Sequence, residues 1–256
     1  SLLLVDYPNI EIFLIDDRST DSTGEIIDRL ASHDERVIPM HITELEQGWL
    51  GKPHAMQQAL EQATGEWILF TDADVEFSVD SLRRAIAWSV KHELDHLALV
   101  PRFRPVHWAV DSIITGFLRA IGLGMKLWRV PNPRSKAFMG VGAFNLVRRE
   151  AFEKTPGLEW LKMEVTEDLG IGMMMKQSGA KCAGAIGEGL IELEWYQSVR
   201  IMAVGIEKGY ASLTGGRLIP FILLIGMLIA VAYCPLIAII FWIFGGPTWI
   251  GIAGLI

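Results

Sequence analysis

The residues of this chain that could do chemistry are four acidic clusters: Asp16-Asp17, Asp72-Ala73-Asp74, Glu167-Asp168 and the weaker pair Glu192/Glu194. The first two close apolar runs, Ile10-Glu11-Ile12-Phe13-Leu14-Ile15 and Trp67-Ile68-Leu69-Phe70. Carboxylates at the ends of buried strands lie at the carboxyl edge of a sheet, where open α/β folds bind ligands. Asp72 and Asp74 are costly to desolvate at the end of an apolar strand unless a cation or hydrogen-bond donors meet them. The expected cation is Mg2+ or Mn2+, which favour oxygen ligands and bridge diphosphates. Asp16 and Asp17 end a strand before a turn, where a carboxylate accepts hydrogen bonds from a base or ribose; Asp21 and Ser22 are explained by helix capping alone.

Three further segments bear on the same chemistry. Gly51-Lys52 precedes a helix, where Lys52 approaches phosphate with help from the helix dipole. Thr166-Glu167-Asp168 opens another helix. Its acids either complement the dipole, worth under about 1 kcal/mol, or supply a general base for an acceptor hydroxyl. Gln197-Ser198-Val199-Arg200 follows Trp195-Tyr196. Arg200 offers a bidentate grip on phosphate and Trp195 a ring to stack on an acceptor, or the group is a juxtamembrane arginine beside interfacial aromatics.

The elements that must position these residues alternate between strand-like and helix-like, which argues for an α/β layered fold. Strands are expected at Ile10–Asp16, Val37–His41, Trp67–Thr71, Leu97–Val100 and Val141–Val147, with extended stretches at Ala183–Ile186 and Leu190–Trp195. Helices are expected from the capping box Ser22-Thr23-Gly24-Glu25 to about Ala31, at Pro53–Ala63, from Ser78 or Asp80 to about Lys91, at Glu167–Gln177 and at Gln197–Lys208. Residues 106–130 carry Val110, Ile113, Ile114, Phe117, Leu118, Ile121 and Leu123 at near-helical spacing, with Trp108 and Trp128 near the ends and Arg119, Lys126 and Arg129 among them. This segment reads equally as a helix lying on a membrane and as one packed on the sheet.

Hydrophobic residues make up 51% of the 256, and the mean hydropathy is +0.32. The excess is concentrated: Leu218 to Ile256 contains no charged residue. About 20 apolar residues span a bilayer as a helix, so Leu218–Phe244 is expected to cross once and Trp249 onward to begin another span. The domains expected are therefore 1–216 and 217–256, with 106–130 as an interfacial segment of the first. A net charge of −7 argues against nucleic acid as a partner. Cys182 and Cys234 form no disulfide or zinc pattern and suit a reducing compartment. Arg200, Lys208 and Arg217 before the apolar tail put the soluble part on the cytoplasmic side of an inner or plasma membrane. The chain opens at Ser1 and stops within an apolar stretch, which reads as a fragment.

Taken in order, DDRSTDST at 16–23, Gly51-Lys52 before an alanine-containing helix, TDADV at 71–75, Gly140-Val141-Gly142-Ala143-Phe144 with Arg148-Arg149, TED at 166–168 and Gln197-x-x-Arg200 resemble a family 2 glycosyltransferase of GT-A fold, of the membrane-associated ceramide glucosyltransferase or polysaccharide synthase kind. The resemblance covers residues 1–217. It implies a Rossmann-like, mostly parallel sheet flanked by helices and followed by transmembrane helices. It implies a nucleotide-sugar donor, usually a UDP-sugar, a lipid or glycan acceptor, and inversion at the anomeric carbon. Under it Asp16 or Asp17 contacts the base or ribose, Asp72 and Asp74 serve the diphosphate and metal, and Asp168 is the base, with Glu167 beside it. Gln197 and Arg200 fall on the family's Q-x-x-R-W pattern, whose last position here is Ile201; Trp195 stands in for it. The family's first strand and donor-contacting loop would precede Ser1, leaving the sheet without a central strand and predicting weak donor binding by residues 1–217 alone. An inert scaffold of the same fold and a nucleotidyltransferase are the rival readings. The first would lack donor hydrolysis, and the second would release pyrophosphate from a nucleoside triphosphate.

Overall fold

The computed structural model of the chain describes residues 1–202, positions 219, 222, 226, 230 and 233, and residues 237–248. It divides into two units, one of residues 1–102 and 129–193, the other of 103–128 and 194–256. The expected boundary at 216/217 lies outside the described residues.

In the first unit, β1 (Ile12–Asp17), α1 (Thr23–Ala31), β2 (Val37–Ile42), α2 (Gly51–Gln62), β3 (Trp67–Phe70), β4 (Glu76–Phe77), α3 (Ser81–Lys91) and β5 (His96–Val100) follow in order. β6 (Arg102–Phe103) leads out of this unit and α4 (Trp108–Gly124) lies in the other. After the chain returns come β7 (Asn145–Arg148), α5 (Arg149–Phe152), α6 (Glu167–Gln177), β8 (Cys182–Ile186) and β9 (Ile191–Leu193). β1 and β2 form a parallel pair with Asp16 opposite His41. A second sheet has the order β3-β7-β5-β8. β7 is antiparallel to both its neighbours, and β8 is parallel to β5.

The mostly parallel sheet expected from the motifs is thus corrected to a mixed one. The reason is the path of the chain. β5 ends at the edge where Thr71 and Asp72 lie, and the chain re-enters at that same edge through 140–144, where Ala143 O and Gly142 O accept bonds from Thr71 Oγ1 and the Asp72 amide. A strand starting there must run back against β5. The expected strand at Val141–Val147 is correspondingly shorter, because 141–144 is a turn closed by the Phe144 amide on Val141 O. The capping box is also corrected. α1 starts at Thr23 and Ser22 makes no side-chain cap bond. Asp21 Oδ1 accepts the Thr23 amide at 3.0 Å instead, since a carboxylate is a stronger acceptor than a hydroxyl.

The core is formed by Leu97, Phe144, Leu146 and Val147 of the sheet region and by Ile171, Met174 and Met175 of α6, each essentially without solvent exposure. β3 is different. All four of its residues are apolar, yet all are only partly buried. A cavity of about 750 Å3 runs along it, lined by consecutive residues of β3 and consecutive residues 10–13 at β1. Successive side chains of a strand point to opposite faces, so a cavity touching consecutive residues meets both strands edge-on. Among the described residues β1-β2 and β3-β7-β5-β8 are separate sheets, beside a third of order β4-β9-β6, and an open cleft lies between the edges of β1 and β3.

In the second unit, Val110 and Ile114 of α4 pack with Met202, Phe103, Leu118, Trp195 and Tyr196. Trp195 stacks on Phe103 at 5.3 Å and on Tyr196 at 5.2 Å between ring centroids. One face of α4 is therefore packed, while Trp108, Ile113, Leu123 and Trp128 stay exposed, Trp108 at 76%. No helix among the described residues is long and apolar enough to cross a membrane. Most of the span expected at Leu218–Phe244 lies outside the described residues, as does the helix expected at Gln197–Lys208 beyond Met202; residues 237–243 are helical.

The open edge predicts a graded hydrogen exchange. β5 has partners on both sides and β3 on one. Amides of Leu97 and Leu99 should exchange only through global unfolding, while those of β3 that face the cleft exchange orders of magnitude faster through local opening, measured by mass spectrometry at fixed pH.

Candidate active site

The carboxyl ends of β1 and β3 and the amino ends of α2 and α6 meet at one end of the cleft. Lys52, second residue of α2, places its ammonium 2.5 Å from Asp72 Oδ1 and 2.5 Å from Glu167 Oε1. Glu167 is buried, its side chain 9% exposed, while the Lys52 side chain is half exposed. Burial lowers the Lys52 pKa, but the attraction of Glu167 and Asp72 outweighs it, and the net shift is upward. Lys52 is therefore a fixed cation at any physiological pH. Its contribution to stability is complete below the ordinary lysine pKa and fades only as pH climbs beyond it.

Asp168 follows Glu167 in the first turn of α6. Its Oδ2 accepts the Gly142 amide at 3.0 Å. Burial is the main influence on its carboxyl and, with the neighbouring Glu167 charge, raises the pKa; the Leu169 amide, Lys52 and the Gly142 amide pull it back. A carboxylate held ready at neutral pH but made more basic than usual suits proton abstraction. α6 can approach so closely because of two glycines. A Cβ at Gly140 would collide with the Asp168 carbonyl, and one at Gly172 with the Met139 carbonyl. A third, Gly142, leaves room for Asp72, whose Oδ2 would lie 2.5 Å from an added Cβ.

Asp17 joins the group through α2: a Cβ at Gly51 would collide with Asp17 Oδ2, one residue before Lys52. Arg18, in the left-handed region at φ 60°, covers the Asp17 oxygens at 2.8 and 3.2 Å. Asp16 turns toward α1. It accepts the Ser19 amide at 3.1 Å and stands 3.6 Å from His41, and the Ser19 bonds are the main cause of its lowered pKa. The structure thus brings Asp17, Lys52, Asp72, Glu167 and Asp168 together, with Asp16 at the margin. Asp74 is exposed on the turn after β3. Glu192 sits on β9 with Arg102 at 3.5 Å, an ion pair away from this group. Gln197 and Arg200 are exposed in the second unit.

Arg148 and Arg149 are structural: Arg148 lies over the Trp67 ring at 4.8 Å, and Arg149 binds the Ala63 and Gly65 carbonyls after α2. Asn145 and His96 are fully buried beside Asp168. A lone His or Asn in an apolar strand gives no pattern from which a partner 49 positions away is deduced.

The residues present fit a divalent cation. Among the described residues no three His, Cys, Asp or Glu side chains form a cage. Mg2+ and Mn2+ do not require one, since they bind through one or two carboxylates plus substrate phosphates and water. Asp72, partly exposed, and Asp74, exposed on the turn after β3, are the oxygen donors that a cation would meet there.

Comparison with known proteins identifies the class. The family model for glycosyl transferase family 2 matches residues 1–155, and the chain belongs to that family. A putative teichuronic acid biosynthesis glycosyltransferase of Bacillus subtilis is 32% identical over 91 residues, 36% of this chain and 34% of its own length. A beta-monoglucosyldiacylglycerol synthase of Nostoc sp. is 24% identical over 178 residues, 66% of this chain and 35% of its own. The chain thus spans about a third of the length of these curated relatives. Among solved structures, a mannosyltransferase of Pyrobaculum calidifontis in complex with GDP-Man and Mn2+ superposes with a TM-score of 0.61 at 20% identity, covering 83% of this chain and 55% of that one. The likeness shows the GT-A fold.

Replacing Lys52 tests the charge arrangement. Removing one partner of a fully buried ion pair costs about 3–5 kcal/mol. With Lys52 half exposed, Lys52→Met should lose about 1–2 kcal/mol by thermal melting at pH 7, and Lys52→Arg distinctly less.

Proposed function

We propose that this chain is the catalytic part of a membrane-associated inverting glycosyltransferase that moves a sugar from a nucleotide-sugar, a UDP-sugar by the motif resemblance, to a hydroxyl of a lipid or lipid-linked acceptor. The observation that carries it is Asp168: a partly buried carboxylate of raised pKa, fixed by the Gly142 amide beside the Lys52–Asp72–Glu167 charge group. In one displacement Asp168 takes the acceptor's hydroxyl proton. The acceptor oxygen then bonds to the anomeric carbon as the bond to the diphosphate oxygen breaks, and configuration inverts. Asp72 and Asp74 would hold Mg2+ or Mn2+, which when bound offsets charge on the departing diphosphate. Lys52, already at Asp72, is placed to meet the same phosphates. Asp17 and Asp16 are the proposed base and ribose contacts. Gln197 and Arg200 are proposed donor ligands on the strength of their motif alone.

The lipid acceptor and the membrane rest on three supports. The stretch from Leu218 to Ile256 carries no charge. The outward face of α4 exposes Trp108, Ile113 and Leu123, a composition suited to a bilayer interface. One relative is a beta-monoglucosyldiacylglycerol synthase. Arg200, Lys208 and Arg217 before the apolar stretch favour a cytoplasmic active site. The alternative is a growing polysaccharide as acceptor.

Membranes carrying the full chain, incubated with labelled UDP-sugars, should transfer label into the solvent-extractable lipid fraction and lose that transfer with EDTA. Label confined to precipitable polymer would favour the polysaccharide reading, and none in either would sink both.

Asp168→Asn should lower turnover by about 10²–10⁴-fold while leaving donor affinity intact by calorimetry. It should also raise the melting temperature at pH 7. The raised folded pKa means that ionised Asp168 opposes folding, a cost absent below the unfolded pKa and growing as pH rises through the folded one. The gain should accordingly shrink toward pH 4. Unchanged turnover would remove Asp168 from the base role.

A further inference from the structure

His96 begins β5 and Asn145 begins β7. In the antiparallel register Ala98 faces Asn145 and His96 faces Val147, so the two polar residues are diagonal neighbours on one sheet face. Both are sealed from solvent, at 0% and 1% exposure. His96 Nε2 stands 2.6 Å from Asn145 Oδ1, and Asn145 Nδ2 donates to the Asp168 carbonyl at 3.0 Å. These bonds fix the hydrogens. An amide nitrogen that donates to a carbonyl leaves Oδ1 as the acceptor, so His96 must carry its proton on Nε2. Burial pushes the His96 pKa down to about 4, and its Nδ1 is buried without a partner.

Such a pair is an expensive way to fill a sheet. An unpaired buried nitrogen costs about 1–3 kcal/mol, whereas replacing both partners of a buried hydrogen bond by apolar groups of the same shape is nearly neutral. Leu97, Leu146 and Val147 show that the surrounding positions are apolar. The direction of the bonds supplies a reason. They run from β5 through β7 to the main chain of Asp168, while the Gly142 amide holds the same residue's carboxylate. Asp168 is gripped at two points, by Asn145 of β7 and by the Gly142 amide on the turn before it, and the His96 N–H keeps the Asn145 amide from turning over.

We propose that His96 and Asn145 are positioning residues that hold Asp168 at the distance and angle needed to take the acceptor proton, with His96 acting only through Asn145. This rests on the base role given to Asp168 above.

The test uses the full chain in membranes, with turnover and donor KM measured on His96→Gln, His96→Leu, Asn145→Asp and the double variant His96→Leu/Asn145→Leu, alongside Asp168→Asn. A misplacement near 1 Å costs about a hundredfold in rate. Asn145→Asp and His96→Leu should therefore lose about ten- to a hundredfold in kcat with donor KM unchanged. His96→Gln, whose side-chain amide replaces the ring N–H, should recover most of that loss. The double variant should melt no lower than the parent yet stay slow, separating position from stability. Wild-type kcat in the double variant, or His96→Gln no better than His96→Leu, overturns the proposal. So does a fall in kcat matched by loss of donor binding. If the double variant does not fold, the His96→Gln against His96→Leu comparison decides. An inert Asp168→Asn beside an active double variant defeats the positioning role but spares the base. An active Asp168→Asn defeats the base reading and this proposal with it.

Discussion

The buried carboxylate of Glu167 is the constraint around which the first unit is arranged. An ion taken out of water costs several kcal/mol unless a counter-charge and hydrogen bonds replace its solvent. Lys52 supplies that charge, and it reaches Glu167 only because α2 begins where β3 ends. The same ammonium binds Asp72, so three elements distant in the chain are tied at one point: the start of α2, the turn after β3 and the start of α6. Two helix amino termini carry favourable dipole ends for anions there. The place is thus positive from its backbone and Lys52, and negative from its acids, which is the electrostatic condition for holding a charged ligand in a narrow space.

Glycine makes the geometry possible. Asp168 would be pushed away from the 139–142 segment by a single methyl group at Gly140, and Asp72 would be displaced by one at Gly142. The acids therefore approach the sheet more closely than side chains normally allow. Behind them the apolar contacts of Ile171, Met174 and Met175 seat α6 on the core, so hydrophobic burial holds the helix in place and hydrogen bonds set its register. The open cleft between β1 and β3 lies alongside this well-packed half.

The correct expectations share a physical basis. Apolar runs ending in carboxylates marked β1 and β3 because continuous apolar residues favour a strand within the layers and its polar end reaches solvent. Glu167-Asp168 marked the start of α6 because acids favour helix amino termini. Expectations went astray where a residue had competing partners. Ser22 lost its capping role to Asp21.

The sequence by itself determined that acids stand at strand ends and at a helix start, that the layers alternate, and that a charge-free stretch closes the chain. The tertiary structure alone decided that β7 runs backward between β3 and β5, that Lys52 is shared by Asp72 and Glu167, and that His96 reaches Asp168 through Asn145. Periodicity reports which face of an element is apolar, because that is a local property of the helix or strand repeat. Ion pairs and hydrogen bonds between residues far apart in the chain depend on distances of a few ångström, and these exist only once the layers have closed on each other.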